Sequence, residues 1–283
     1  MSGPDTEPAS ATHRARWRRF SPSMGWRAFW NEIVIVVLGV VIALAANEAV
    51  QEWNWRQKVA DAETRLQGDI AWAFLWGAEA YVSQPCIDAQ LAALGRNVLE
   101  SGDTLVPQPV ITANTSLQYV VRMPNRPHRF PVWDTLVADG TAAHFAPRRQ
   151  AYLGRISSDL ALARDGTAEA RHLNGRLMVM RDPIPLDPAV RSGLLATINE
   201  LRFIDRYEAV AAQQRLRRIA DAGDAPPAAI VERFLNASGK YPSGSDYSGM
   251  TRFCTARGLP IADWRDYRKI SVAIGPPGMA IGK

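Results

Sequence analysis

Cysteine and histidine are scarce in this chain. Two cysteines, Cys86 and Cys254, and four histidines, His13, His128, His144 and His172, are spread over 283 residues. The cysteines lie 168 positions apart, so a C-x-x-C redox pair and a cysteine-rich zinc module are excluded. No two histidines stand four apart and no H-E-x-x-H occurs, which excludes a helix-borne zinc site of that type. A G-x-S-x-G nucleophile elbow is missing. The C-terminal GPPGMAIGK lacks the spacing of a phosphate-binding loop. A strong charge bias is missing too. The net charge of +5 is a mild excess, so no nucleic-acid partner is expected. No cofactor, metal or catalytic residue set follows from any motif.

What is present is one long apolar run. Ile33 to Ala46 reads IVIVVLGVVIALAA, without a charge. These residues rise only about 21 Å as a helix, short of the roughly 30 Å of hydrocarbon core. The helix extends without a breaker from Phe29 to Val50, about 33 Å. Its polar residues sit near its ends: Asn31 and Glu32 at one, Asn47 and Glu48 at the other. Trp26 and Trp30 precede it, and Trp53 and Trp55 follow, as interfacial belts require. Its Val, Ile and Leu contribute roughly 3–6 kcal/mol towards insertion. The reading is a transmembrane helix over residues 26–50, with the lipid bilayer as its solvent.

Five arginines lie within residues 1–30, against Asp5 and Glu7. The positive-inside rule puts a disordered tail of residues 1–25 in the cytoplasm and residues 51–283 outside, in the periplasm of a bacterial inner-membrane protein. The alternative is a signal peptide cut near Ala45, after Ala43-Leu44-Ala45. Against it, the charged segment is about twice the usual length. Glu32, Gly39, Ala43 and Asn47 share one side of the span, and Gly39-x-x-x-Ala43 permits close helix approach. That side suits a homo-oligomer or a membrane partner, or merely reflects the small residues common in spans.

Beyond the span the expected class is mainly α. Trp55, Val59, Ala62, Leu66, Ile70 and Ala73 recur at three and four, which predicts a stalk helix over 51–81. Trp72, Phe74, Leu75 and Trp76 at its end read as core packing rather than as an aromatic ligand box. Pro85 breaks the pattern, and a short helix from Ile87 to near Gly102 follows. Residues 103–131 carry five prolines, with short extended pieces at 110–112 and 117–121 and an exposed-looking Arg126-Pro127-His128-Arg129. Trp133 to Gly140 is a short helix stopped by glycine. Pro147 opens a long helix, and Asp187-Pro188 starts its hairpin partner. Pro226 and Pro227 open another. Residues 86–237 thus form a helical bundle and 238–283 an irregular strap pinned by Cys254. In an oxidising compartment Cys86 and Cys254 read as one disulfide, two buried free thiols being the alternative.

Two polar groups need weighing. His128, Asp134 and His144 could converge into an acid–base or metal site, or be a loop residue, a helix-start acid and a surface group. Arg215, Arg217 and Arg218 read as a solvated basic face.

The block FWNEIVIVVLGVVIALAANEAVQEW, and VWDTLVADG ahead of a helix, resemble uncharacterised bacterial single-pass membrane proteins. The resemblance covers the span and roughly residues 130–220. It implies an N-terminal span with an acid and an Asn at its edges and a helical extracytoplasmic domain, and it carries no activity. The function expected is an anchored interaction or scaffold protein with no evident catalysis, bound to a membrane or periplasmic protein. The second expectation is a ligand-sensing domain, with the 103–131 loop over its pocket, that signals through a partner. An enzyme using His128, Asp134 and His144 comes third.

Overall fold

A computed structural model describes residues 26–113, 117–240 and 246–269. The protein is mainly α. Helix α1 runs from Trp26 to Glu100, 75 residues without interruption. A β-hairpin follows, β1 (Ile111–Ala113) against β2 (Leu117–Tyr119), antiparallel with Thr112 opposite Gln118. Then come α2 (Pro131–Ala138), α3 (Pro147–Leu177), α4 (Pro188–Asp221) and α5 (Ala228–Leu235). A second hairpin, β3 (Ser238–Lys240) with β4 (Asp246–Ser248), leads into α6 (Met250–Thr255). Short 3₁₀ turns occupy Thr141–His144, Met178–Arg181 and Trp264–Arg268.

The chain divides into two units, at Asn54 and Trp55. The described part of the first is α1 up to Asn54. It is long and apolar enough to cross a membrane, and none of that apolar window is buried inside the protein. Side chains such as Ile35, Leu38 and Leu44 are more than half exposed.

The second unit is a bundle of α1 from Trp55 onward with the antiparallel hairpin α3–α4. Its buried apolar residues form two clusters. One joins α1 from Ala62 to Val82 with the start of α3, the end of α4 and α5. The other joins α1 from Cys86 to Val98 with the end of α3, the start of α4 and α6. Each fully buried Leu or Ile stabilises this packing by about 1.5–3 kcal/mol.

The stalk helix expected over 51–81 is buried by the bundle not only at its aromatic end but already from Ala62, with Leu66 and Ile70 in the core. One expectation is corrected here: the helix does not break at Pro85. Proline removes one helix hydrogen bond and costs about 3 kcal/mol inside a helix. Tertiary contacts offset that. Val82, Cys86 and Ile87 on both sides of Pro85 are buried, and the Ala262 amide donates to the Val82 carbonyl at 3.1 Å. Cys86 is also bonded to Cys254 of α6, with Cα atoms 6.0 Å apart. The strap is therefore less irregular than its Gly and Pro content suggests. The part of it between 246 and 269 holds a strand, a helix and a 3₁₀ turn, and residues 270–283 lie outside the described residues.

Other expectations hold. Asp187 caps α4, its Oδ1 accepting from the Val190 amide at 2.8 Å, with Pro188 in the first turn. Pro147 likewise stands in the first turn of α3, there without a side-chain cap. Gly140, at φ +80, makes the turn that ends α2, a conformation glycine adopts without the Cβ penalty. The C-terminus of α1 has no basic residue in its last turn. Arg191 of α4 serves it instead, donating to the carbonyls of Val98, Ser101 and Gly102.

Candidate functional site

Asp69, Trp72, Trp76 and Glu79 fall at spacings of three, four and three on α1, so they share one face. The segment Arg126–Val132 runs antiparallel along that face. At one end Arg126 grips Glu79 with two hydrogen bonds, Nε to Oε2 at 2.6 Å and Nη2 to Oε1 at 2.9 Å. At the other the Val132 amide donates to Asp69 Oδ2 at 2.9 Å. Between these ties lies a groove of about 390 Å³, lined by Asp69, Trp72, Trp76, Arg126, Pro127, Arg129 and Pro131.

The groove has an aromatic ridge. The Trp72 and Trp76 rings stack with centroids 5.9 Å apart, and Phe234 of α5 stands at 77° to Trp72, also at 5.9 Å. Trp72 remains 48% exposed. The guanidinium of Arg126 lies 5.2 Å over the Phe234 ring.

Its floor is fixed by His128. Among the described residues it is the one non-glycine with positive φ, at +45. That conformation costs a non-glycine residue roughly 1–2 kcal/mol. It turns the imidazole inward, where it is buried beneath Trp76 at a ring distance of 5.6 Å, while Arg126, Pro127 and Arg129 line the groove. Nδ1 of His128 has no hydrogen-bond partner among the described residues. Burial, and then the nearby Arg215 and Arg126 charges, push its pKa down to about 4. The imidazole is therefore neutral at pH 7. Asp69 is raised above the usual carboxylate value, by burial first and by Asp134, against the Val132 amide and Arg65.

Charge in the groove is uneven. Glu79 neutralises Arg126, and its own side chain is only 4% exposed. Arg129 is exposed and makes no hydrogen bond or ion pair among the described residues. The groove thus offers aromatic faces, proline rings and one uncommitted guanidinium.

His128, Asp134 and His144 do not share this or any other site. His128 packs on Trp76, whereas His144 stacks on Trp55 at 3.8 Å, with Lys58 over the same indole. Those two tryptophans are 21 residues apart on α1, about 31 Å. Asp134 is on the exposed side of α2. Among the described residues no three His, Cys, Asp or Glu side chains are placed to hold a metal ion. Glu32, Gly39, Ala43 and Asn47 are all exposed on α1, and a Cβ at Gly39 would meet nothing within 4 Å.

The basic cluster near 215 is also corrected. Arg215 is fully buried, beside Glu208 at 3.5 Å and against Gly77, where an added Cβ would come within 3.4 Å of its Nε. Arg218 pairs with Asp159, and Arg217 donates to the Tyr267 and Lys269 carbonyls. A long cation inside a helical stripe reads as surface until the opposing helix is seen. Trp72 and Trp76, expected as core packing, line the groove instead, and Trp72 is half exposed.

Comparison with protein-family models, curated proteins and solved structures finds no match.

Proposed function

We propose that this chain is a membrane-anchored interaction protein of the bacterial envelope, its N-terminus cytoplasmic and its helical domain periplasmic. The observation that carries the reading is the groove, a stacked tryptophan pair on one helix face, Trp72 half exposed and Trp76 partly buried, with the Arg129 guanidinium beside it. Trp and Arg are among the residues most enriched at binding hot spots. The open apolar surface of α1 near its start supports the anchor. The Cys86–Cys254 bond supports an oxidising compartment. The resemblance to uncharacterised single-pass membrane proteins points the same way. The partner is a membrane or periplasmic protein, or a second copy of the chain through the Gly39–Ala43 side of the span.

A second reading, a ligand-sensing domain signalling through a partner, uses the same groove. It is favoured by one observation: the groove wall is the end of the 103–131 segment expected to cover a pocket. Photo-crosslinking decides between them. A benzophenone amino acid replaces Trp72 in cells, with Leu162, exposed on α3, as control. The interaction reading expects one adduct of defined mass from position 72 and none from 162. No adduct, or the same adducts from both, overturns it and leaves the sensor.

A further inference from the structure

Resting on that interaction reading, we propose that the Trp72–Trp76 groove binds an extended, proline-containing peptide segment with acidic residues beside its prolines. Shape comes first. From Asp69 to Trp76 the helix wall is about 10 Å long. One turn of polyproline II, three residues at 3.1 Å each, is about 9.3 Å. Two prolines three positions apart therefore present both rings to the indole side within the length of the groove.

The chemistry of the lining excludes the main competitors. An aromatic cage for an ammonium group needs a gap between rings, and Trp72 and Trp76 stack on each other at 5.9 Å. A saccharide needs several hydrogen-bonding partners for its hydroxyls. The lining holds no Asn, Gln, Ser or Thr, Asp69 Oδ2 already accepts from Val132, and Arg126 already grips Glu79. Proline rings need only stacking, and a polyproline II backbone is ordered before it binds, so little entropy is lost. The groove is ordered as well. Pro127 and Pro131 fix their own φ, and His128 anchors the wall between them from inside. Charge selects the acidic flank. Glu79 neutralises Arg126 and Asp69 is tied to the Val132 amide, so the exposed Arg129 is the cation with which a carboxylate on the peptide pairs.

The test is a fluorescence anisotropy titration with the full-length chain in detergent micelles. The probe is a fluorescein-labelled octapeptide with two prolines three positions apart, flanked by glutamates. Parallel probes replace the prolines with alanine or the glutamates with lysine. The proposal expects saturable binding of the first probe with a Kd below about 1 mM, and about tenfold or greater loss on either peptide change. Trp72→Ala weakens the first probe by about tenfold or more, because a half-exposed hot-spot ring is removed without touching the core. Arg129→Glu inverts the preference towards the lysine-flanked probe while circular dichroism stays unchanged, which separates recognition from misfolding. No saturation, or equal binding of the alanine probe, overturns the proposal. Displacement by a chito-oligosaccharide, with no effect of the proline change, overturns it in favour of a sugar. A Trp72 crosslink without proline-peptide binding sinks this inference and spares the interaction reading. Loss of both sinks both.

Discussion

Arg126→Met is the most informative single substitution, because it strips the partner from a buried acid without disturbing the core. Glu79 is held by a two-point guanidinium contact and is 4% exposed, while Arg126 is 34% exposed. Removing one member of a buried ion pair costs about 3–5 kcal/mol, since the other charge is left desolvated. Water reaches Glu79 through the space the guanidinium leaves, so the lower end applies, about 3 kcal/mol. The stacking of Arg126 over Phe234 adds about 0.5–1 kcal/mol. For a domain of this size 1 kcal/mol shifts Tm by roughly 2–4 °C, so the expected fall is about 7–16 °C. Glu79→Met combined with Arg126→Met removes the stranded charge and leaves no unpaired polar group. It recovers all but the stacking contribution, leaving a fall of about 1–4 °C. The assay is thermal unfolding followed by near-ultraviolet circular dichroism, on full-length protein in detergent at pH 7. A single variant melting within about 2 °C of the parent refutes the reasoning. So does a double variant no more stable than the single one, because coupling between the two residues is what the geometry requires.

Three further outcomes are expected. Denatured, unreduced protein shows no free thiol, and reduction destabilises the fold by up to about 5 kcal/mol on the chain-entropy account of a long closed loop; two free thiols remove the bond. The His128 imidazole titrates near 4 in the folded protein and near 6.5 unfolded, so the unfolded chain binds the proton first as pH falls. Its share of stability is therefore complete above about pH 6.5 and lost towards pH 4, and His128→Asn, which tolerates the same backbone, flattens Tm across that window; parallel Tm profiles for parent and variant rule this out. If copies pair through the Gly39–Ala43 side of the span, Gly39→Leu abolishes crosslinked dimers in the membrane, and unchanged dimers exclude that side.

Much of the architecture was written in local pattern. The apolar run, the proline at the start of α3 and the Asp187-Pro188 start of α4 act through the residues that carry them, so their spacing suffices. The pairing of Cys86 with Cys254 was legible because two cysteines allow one partner. Pro85 was misread for a physical reason. Its local penalty is real, but the burial of Val82, Cys86 and Ile87, the disulfide and the Ala262 amide together outweigh it. None of those contacts is near in sequence to both sides of the bond it protects.

The candidate site shows the same division. Sequence by itself determined the helix class, the apolar run of α1 and the α3–α4 hairpin, because each follows from helical periodicity or from the fixed φ of proline. Only the tertiary structure decided that Arg126 reaches across 47 positions to Glu79 and that Arg215 lies inside the bundle rather than on it. It also separated His128 from His144 and left Trp72 half exposed. Those outcomes depend on which segment lies against which helix face, and a loop crossing such a face leaves no period in the chain that forms it.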